Sequence, residues 1–93
     1  MLSIWSVNRV MNVHIKILFF AKAREIVGKS SDFINITPSL TYQELLDKIV
    51  SFYSLEDIKD NLILSVNEEF CEDTTITLKA GDEIAVIPPL SGG

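Results

Sequence analysis

Residues 40–53, LTYQELLDKIVSFY, decide the fold, because they form the one long helical stretch of a 93-residue chain. Thr41 is predicted to be the N-cap of this helix, and Glu44, three residues later, completes a capping box. Leu40 and Leu45 stand at the two positions of a hydrophobic staple. Apolar residues then recur at helical spacing and predict a buried face made of Leu45, Leu46, Ile49, Val50, Phe52 and Tyr53.

Strands are predicted on both sides of this helix. Residues 13–20, VHIKILFF, begin with the apolar and polar alternation typical of a strand, and their apolar end at Leu18 and Phe20 predicts cover on both sides. The nearly continuous apolar run Glu83–Ile87, EIAVI, predicts a central strand buried on both faces. Further strands are predicted at residues 31–37, 62–66 and 70–72, and residues 74–78 are either a loop or an edge strand.

Short connections separate these elements. Ala21–Val27 is predicted to be a helix of one to two turns that Gly28 ends in a left-handed conformation. Residues 54–60 start another short helix, and residues 67–69 and 79–82 are turns. The order of strand, strand, helix and three strands predicts an α+β fold with a mixed sheet packed on one main helix, compatible with a ubiquitin-like β-grasp.

Length and composition exclude several classes of function. A 93-residue chain makes one domain, too small for a deep cleft between two domains. The net charge of −5 disfavours nucleic acid as a partner, and no apolar run is long enough to cross a membrane. Cys71, the only cysteine, cannot form an internal disulfide, which fits a reducing compartment such as the cytosol. Cys71 and His14 cannot supply the four ligands of a structural zinc site, so no metal is expected.

Charge is divided unevenly along the chain. Residues 1–43 carry five basic and two acidic side chains, whereas residues 44–93 carry three basic and eleven acidic ones. The acidic half suggests a basic protein partner. The alternative interpretation is a solvated surface that keeps a small protein soluble.

The segments before and after residues 13–87 are not expected to belong to the folded domain. Residues 1–12, MLSIWSVNRVMN, lack the features of a signal peptide and are expected to be a frayed extension, with a weak transit sequence or a start at Met11 as alternatives. Residues 88–93, PPLSGG, form a functional tail in which two prolines favour stiff polyproline II geometry. Gly92 and Gly93 lack Cβ atoms and can therefore enter a narrow channel.

No catalytic set is visible in the interior of the sequence. Cys71 and His14 lie 57 positions apart, and no glycine-rich phosphate loop occurs. Two pairs of acidic residues are adjacent in the sequence, Glu68 with Glu69 and Asp82 with Glu83. They are better explained as solvated turn residues than as acid–base pairs.

Residues 78–93, LKAGDEIAVIPPLSGG, closely resemble the C-terminus of the small subunit of molybdopterin synthase, whose pattern is G-D-E-[VI]-A-x-x-P-P-x-[ST]-G-G. Residues 15–28 are similar to that family's first strand and helix. The resemblance covers residues 13–93, although residues 30–73 match in pattern more than in residues. Related thiamine-pathway and tRNA-thiolation carriers share the two glycines but not this Pro-Pro spacing.

The resemblance implies a β-grasp sulfur carrier in molybdenum cofactor biosynthesis. An E1-like enzyme would adenylate Gly93 with ATP and Mg²⁺, and a sulfurtransferase persulfide would then leave a thiocarboxylate. Gly92 would provide steric access. The tail would insert into the large synthase subunit, where sulfur attacks cyclic pyranopterin monophosphate, in an assembly of two large and two small subunits. The chain would hold no permanent cofactor and would donate sulfur without being the catalytic subunit.

Contacts with these partners are predicted around the tail. The candidate residues are Phe70, Val86, Pro88, Pro89, Leu90 and Ser91. A place in the core is the alternative interpretation for Phe70 and Val86, and for Val86 the two interpretations are equally good. Three other functions stay open from the residues: a ubiquitin-like modifier conjugated to lysines, a carrier of the tRNA or thiamine type, and a passive interaction domain.

Overall fold

A computed structural model describes residues 12–70 and 75–88 of the chain. It contains seven strands, two α-helices and a 3₁₀-helix within these ranges. The helices are α1 (Ala21–Val27), α2 (Tyr42–Tyr53) and the 3₁₀-helix Glu56–Asn61. The strands are β1 (Val13–Phe19), β2 (Ser31–Ile36), β3 (Ser39–Thr41), β4 (Ile63–Val66), β5 (Glu69–Phe70), β6 (Thr75–Thr77) and β7 (Glu83–Ile87).

Five of the strands form a mixed sheet in the order β2-β1-β7-β4-β5. The central strand β7 runs parallel to β1, with Ile17 opposite Ile84, and antiparallel to β4, with Leu64 opposite Val86. The predicted central position of Glu83–Ile87 is therefore confirmed. β1 and β2 form the antiparallel pair that the sequence predicts.

Helix α2 begins as the sequence predicts. The backbone N–H of Glu44 donates to Thr41 Oγ1 at 3.1 Å, and the N–H of Thr41 donates to Glu44 Oε1 at 2.8 Å. Each bond satisfies a donor that the first helical turn would leave free. The helix then buries four side chains against the sheet, namely Leu45, Leu46, Ile49 and Val50.

Phe52 does not belong to this buried face, and its sequence assignment was wrong. Its side chain is 67% exposed, while the neighbouring Tyr53 is half-buried. Phe52 lies in the last turn of α2 beside β2, the edge strand of the described sheet, and no strand in residues 12–70 or 75–88 covers it.

The core fills the space between α2 and one face of the sheet. Ile15, Ile17 and Phe19 point into it from β1. The centroids of the Phe19 and Tyr53 rings lie 4.7 Å apart, and the two rings are packed edge to face. The opposite face of the sheet, called the open face below, has no covering layer among the described residues. Phe20 is consequently 44% exposed and Leu18 only half-buried, so the predicted cover on both sides of β1 was wrong.

The open face also explains why β7 is not buried on both faces as the sequence predicts. β7 buries Ile84 and Val86 completely, but its alternate residues are half-buried, so this strand is covered fully on one face only.

Two short strands form a separate sheet. β3 pairs antiparallel with β6, with Leu40 opposite Ile76. The sequence predicts β6 as a loop or edge strand but does not predict β3. This strand has only three residues, the last of which is the helix cap Thr41, and three residues are too few to show an alternation. This small sheet ties the start of α2 to the segment that leads into β7.

The turn between β4 and β5 is built from two residues in the left-handed region. Asn67 has φ +51° and Glu68 has φ +73°. The Asn67 backbone N–H donates to the Glu83 carbonyl at 2.8 Å, and the Glu83 N–H donates back to Asn67 Oδ1 at 3.0 Å. Asn67 therefore fastens this hairpin to the start of β7.

We expect Glu68→Gly to stabilise the protein. Glycine adopts positive φ without the cost of about 1–2 kcal/mol that a side chain incurs there, against a loss of about 0.5–1 kcal/mol from added chain freedom. The net gain in the free energy of unfolding should be about 0.5–1 kcal/mol by urea denaturation. Glu68→Ala, which removes the charge but keeps the strained φ, is the matched control and should gain much less. Equal effects of the two variants would contradict this explanation.

The carboxylate of Asp32 on β2 forms a hydrogen bond with Tyr53, the last residue of α2. The Tyr53 hydroxyl donates to Asp32 Oδ2 at 2.8 Å, and the Phe33 N–H donates to Asp32 Oδ1 at 2.9 Å. These two bonds, the Tyr53 bond first, hold the pKa of Asp32 below its ordinary value of 3.8. Burial and the Asp32 carboxylate raise the pKa of Tyr53 above its usual range.

This pair predicts a pH-dependent contribution to stability. The lowered pKa of Asp32 means that its contribution is present above pH 3.8 and is lost as the pH falls through the folded-state value. Tyr53→Phe should therefore lower the free energy of unfolding at pH 7 by about 1 kcal/mol, and this deficit should shrink below pH 3.8. In the control Tyr42→Phe, the lost partner is the backbone N–H of Leu64, so no such pH dependence is expected. A Tyr53→Phe deficit that is constant down to the acid transition would contradict this interpretation.

Candidate functional site

Strand β7 positions the base of the C-terminal tail. It is hydrogen-bonded on both sides, and its last residue, Ile87, lies opposite Ile63 of β4. Pro88 follows and is buried. Because β7 is clamped between two strands, the chain leaves the sheet at a fixed place. The predicted site residues Pro89, Leu90, Ser91, Gly92 and Gly93 lie outside the described residues.

The start of β7 is fixed by Asp82. Its carboxylate accepts the backbone N–H of Lys79 at 2.8 Å and the side-chain amide of Asn67 at 3.1 Å. These two bonds hold the pKa of Asp82 below its usual value. The Asp82 carbonyl also accepts the N–H of Lys16 at 2.9 Å, and the preceding Gly81 has φ +90°.

The Gly-Asp-Glu part of the sequence motif therefore has a structural explanation. Gly81 supplies the left-handed turn, Asp82 closes that turn, and Glu83 opens the central strand. The sequence predicts the turn and a solvated acid at Asp82, but it does not show the bond to Asn67, which lies fifteen residues earlier.

Two predicted contact residues occupy opposite sides of the sheet. Phe70 lies on the open face with 69% of its surface exposed, as a contact residue requires. Val86 is completely buried in the core and offers no surface to a partner, so the core interpretation of this residue holds. Along β7, alternate side chains point to opposite faces, which explains why Val86 and Ile87 differ.

An apolar patch on the open face includes Ile87, the last residue of β7. Directly paired residues share a face, so Ile63 lies beside Ile87, and Ser65 links Phe70 to Ala85. Ile63 is 43% exposed. We call Ile63, Phe70, Ala85 and Ile87 the tail-side patch. Exposed apolar surface of this kind is typical of a site for another protein.

Groups suited to catalysis are not brought together in the described part of the chain. His14 stacks on Phe33 at 5.3 Å between ring centroids, and its Nδ1 lies 2.9 Å from Asn35 Oδ1. Within residues 12–70 and 75–88, no three side chains of the metal-binding types are grouped so that they could hold an ion. In the same ranges no helix has the length and apolar character to cross a bilayer. Cys71 lies outside these ranges.

Known proteins are similar to this chain in sequence and in architecture. The sequence model of the ThiS family matches residues 17–93. The molybdopterin synthase sulfur carrier subunit of Drosophila simulans is 48% identical over 86 residues, which cover 90% of this chain and 93% of that protein.

Solved structures agree in fold at lower identity. The crystal structure of SAMP1 from Haloferax volcanii has a TM-score of 0.69 at 24% identity, covering 86% of this chain and 99% of that one. One chain of the complex of subunits 1 and 2 of molybdopterin-converting factor from Helicobacter pylori has a TM-score of 0.64 at 21% identity. The match covers 87% of this chain and 100% of that one. These likenesses, which extend to a ubiquitin, confirm the predicted β-grasp.

Proposed function

The chain belongs to the ThiS family and has the function of a molybdopterin synthase sulfur carrier subunit, and on this premise we propose that it delivers sulfur as a thiocarboxylate on Gly93. The observation that carries the proposal is the agreement of relatives at 48% identity with a tail that continues directly from the clamped central strand. The chain acts as the sulfur donor, and its partners supply the catalytic groups.

The chemistry begins with an unreactive group. A C-terminal carboxylate has a pKa of about 3.5, so it is ionised at neutral pH and is a poor electrophile. A carboxylate oxygen of Gly93 attacks the α-phosphorus of ATP, held with Mg²⁺ by an E1-like enzyme, and pyrophosphate leaves. A persulfide sulfur then attacks the acyl carbon and AMP leaves. Reduction of the resulting S–S bond by a thiol releases the Gly93 thiocarboxylate.

Delivery requires docking on a second partner. The solved Helicobacter pylori structure is a complex of subunits 1 and 2 of molybdopterin-converting factor, which supports a large-subunit partner for this chain. Two residues of the tail-side patch, Ala85 and Ile87, lie on β7, the strand that leads to the tail, so one partner surface can cover the patch while the tail enters its active site. There the thiocarboxylate sulfur forms a C–S bond with cyclic pyranopterin monophosphate as a C–O bond of the pterin breaks. Water then hydrolyses the acyl–sulfur bond, which leaves the sulfur on the pterin and restores the Gly93 carboxylate. The single cysteine supports a cytosolic setting.

Intact mass tests the activation step. The chain is incubated with an E1-like enzyme, ATP and a persulfide donor, and we expect a mass gain equal to the replacement of one oxygen by sulfur. The chain lacking Gly93 is the control and should show no gain. Attachment to lysines of other proteins instead would indicate a ubiquitin-like modifier, and an unchanged mass would indicate a passive interaction domain.

The acidic second half predicts salt-dependent association with the large subunit. Glu56, Asp57 and Asp60 are exposed on the 3₁₀-helix. The Debye length falls from about 10 Å at 0.1 M to about 3 Å at 1 M salt, so the association rate should fall over this range. Replacing the three acids by Asn or Gln should flatten the dependence. A rate that is independent of salt in the unmodified chain would contradict electrostatic steering.

A further inference from the structure

A groove runs along β2, the edge strand on the side of the described sheet away from the tail-side patch. It has a volume of about 690 Å³ and lies between the outer edge of β2 and the last two turns of α2. Its walls include two exposed aromatic rings, Phe33 on the open face and Phe52 on α2, which are 55% and 67% exposed. None of its described lining residues belongs to the tail-side patch, so a function of this groove does not depend on the proposed function.

The β2 backbone along the groove has unused hydrogen-bonding groups. The Phe19 N–H donates to the Ser30 carbonyl at 2.9 Å, which determines which residues of β2 bond to β1. By alternation, Phe33 and Asn35 direct their backbone groups to the outer edge. Asp32 accepts the Phe33 N–H, but the Asn35 N–H and the carbonyls of Phe33 and Asn35 have no partner in residues 12–70 and 75–88. An extended segment placed beside β2 can therefore form main-chain hydrogen bonds with it.

The unpaired charges at this groove are positive. Lys48 lines the groove, and the Lys16 Nζ atom lies 5.9 Å from the centroid of the Phe33 ring on its wall. Among the described residues, neither lysine is within ion-pair distance of a carboxylate. Asp47 also lines the groove, but its carboxylate is already paired with the Lys59 ammonium group at 2.9 Å. An incoming segment therefore meets two unpaired ammonium groups.

We propose that this groove binds an extended acidic segment of another protein, which joins the sheet as a strand beside β2. The charges select this occupant. A second copy of the chain would bring its own Lys16 and Lys48 to the same edge, and each copy carries a net charge of −5, so like charges would approach each other. A basic segment would be repelled by the same two lysines, whereas carboxylates supply the partners that both lack.

The spacing along the groove defines the order of side chains in such a segment. Helix α2 runs antiparallel to β2, because Tyr53 at its end bonds to Asp32 near the start of β2, whereas Lys48 lines a smaller concavity with Thr37, just after β2. Phe52 and Lys48 are four residues apart on the helix, a rise of about 6 Å, which is close to the roughly 6.6 Å between alternate residues of a strand. An apolar residue beside Phe52 and an acidic residue two positions away beside Lys48 therefore fit the groove together.

Fluorescence anisotropy of labelled peptides tests the proposal on the full chain. An octapeptide of four valines flanked at each end by two glutamates should bind, and the same peptide with lysines in place of the glutamates should bind several-fold more weakly. Because the chain carries a net charge of −5, non-specific attraction would favour the lysine peptide, so the opposite preference is diagnostic.

A pair of charge reversals then locates the contact. Lys48→Glu should weaken binding of the glutamate peptide roughly fivefold, as expected for the loss of an ion pair at a surface. Lys22→Glu is the matched control, because Lys22 is exposed on α1, does not line the groove and changes the net charge by the same amount. It should leave the affinity nearly unchanged.

Amide exchange tests the backbone contact independently. With saturating glutamate peptide, the Asn35 amide should exchange roughly tenfold more slowly, as expected for the gain of one hydrogen bond. The Ile34 amide, which faces β1, is the internal control and should change little.

Four results would overturn the proposal. They are no binding of the glutamate peptide or equal affinity for the two peptides, equal effects of Lys48→Glu and Lys22→Glu, binding that leaves Asn35 exchange unchanged, and loss of peptide binding as the chain is concentrated. The last result would assign the groove to a second copy.

Discussion

Removal of Gly93 is expected to abolish sulfur delivery while leaving the fold intact. The deletion moves the reactive carboxyl back by about 3.3–3.6 Å, the span of one extended residue. Reacting atoms must approach to about 3–3.5 Å, so a retreat of this size removes the sulfur from reach of the pterin. The described core lies entirely within residues 15–86, so stability should not change.

The measurement is single-turnover molybdopterin formation with chemically thiocarboxylated chains, which bypasses the activating enzyme. Gly92→Val keeps the position of the carboxyl but adds a β-branched side chain, and it should also block delivery if the channel admits only glycine. Glu25→Ala, on the exposed surface of α1, is the control for effects of preparing a thiocarboxylated variant. It should deliver sulfur at the parental rate. Delivery at the parental rate by the chain lacking Gly93 would show that the tail is only a docking peptide.

The second large effect separates a core residue from a surface residue on the same sheet. Val86→Asp should unfold the protein, because Val86 is completely buried and an unpaired carboxylate there costs several kcal/mol. A chain of this length has a total stability of about 5–14 kcal/mol. Phe70→Asp, at a side chain that is 69% exposed, should change stability by no more than about 0.5 kcal/mol.

The two variants should differ in binding as well. Phe70→Asp should bind the large subunit much more weakly, since it places a charge within the tail-side patch, while its thermal midpoint stays close to that of the parent. Circular dichroism and titration of the large subunit measure the two properties separately. A folded Val86→Asp variant, or a Phe70→Asp variant with unchanged affinity, would contradict the assignment of these residues.

Local chemistry explains why much of the fold could be predicted from the sequence. The capping box of Thr41 and Glu44 is a contact between residues three positions apart, so the sequence contains both partners. Gly28, with φ +86°, ends α1 for a similarly local reason. The apolar run Glu83–Ile87 identified the central strand because strands inside a sheet are rich in apolar residues.

Features that depend on distant neighbours could not be predicted in the same way. Whether Phe52 is covered depends on how far the sheet extends past α2, and the face of Val86 depends on the register with β1 and β4. The role of Asp82 depends on Asn67 in another hairpin. For the candidate site, the tail motif identified the chemistry, while the tail-side patch became visible only after β4, β5 and β7 were aligned.

The pairing of β1 with β7 has a consequence for quality control in the cell. Ile17 pairs with Ile84, 67 positions later in the chain, and such distant contacts make folding comparatively slow. Before β7 joins, the β1–β2 and β4–β5 hairpins have no strand between them. β7, the strand that presents the tail, therefore has its place in the sheet only when these two hairpins come together. An activating enzyme that requires the tail on a fixed base would select folded molecules, so damaged or incomplete chains would consume neither ATP nor sulfur.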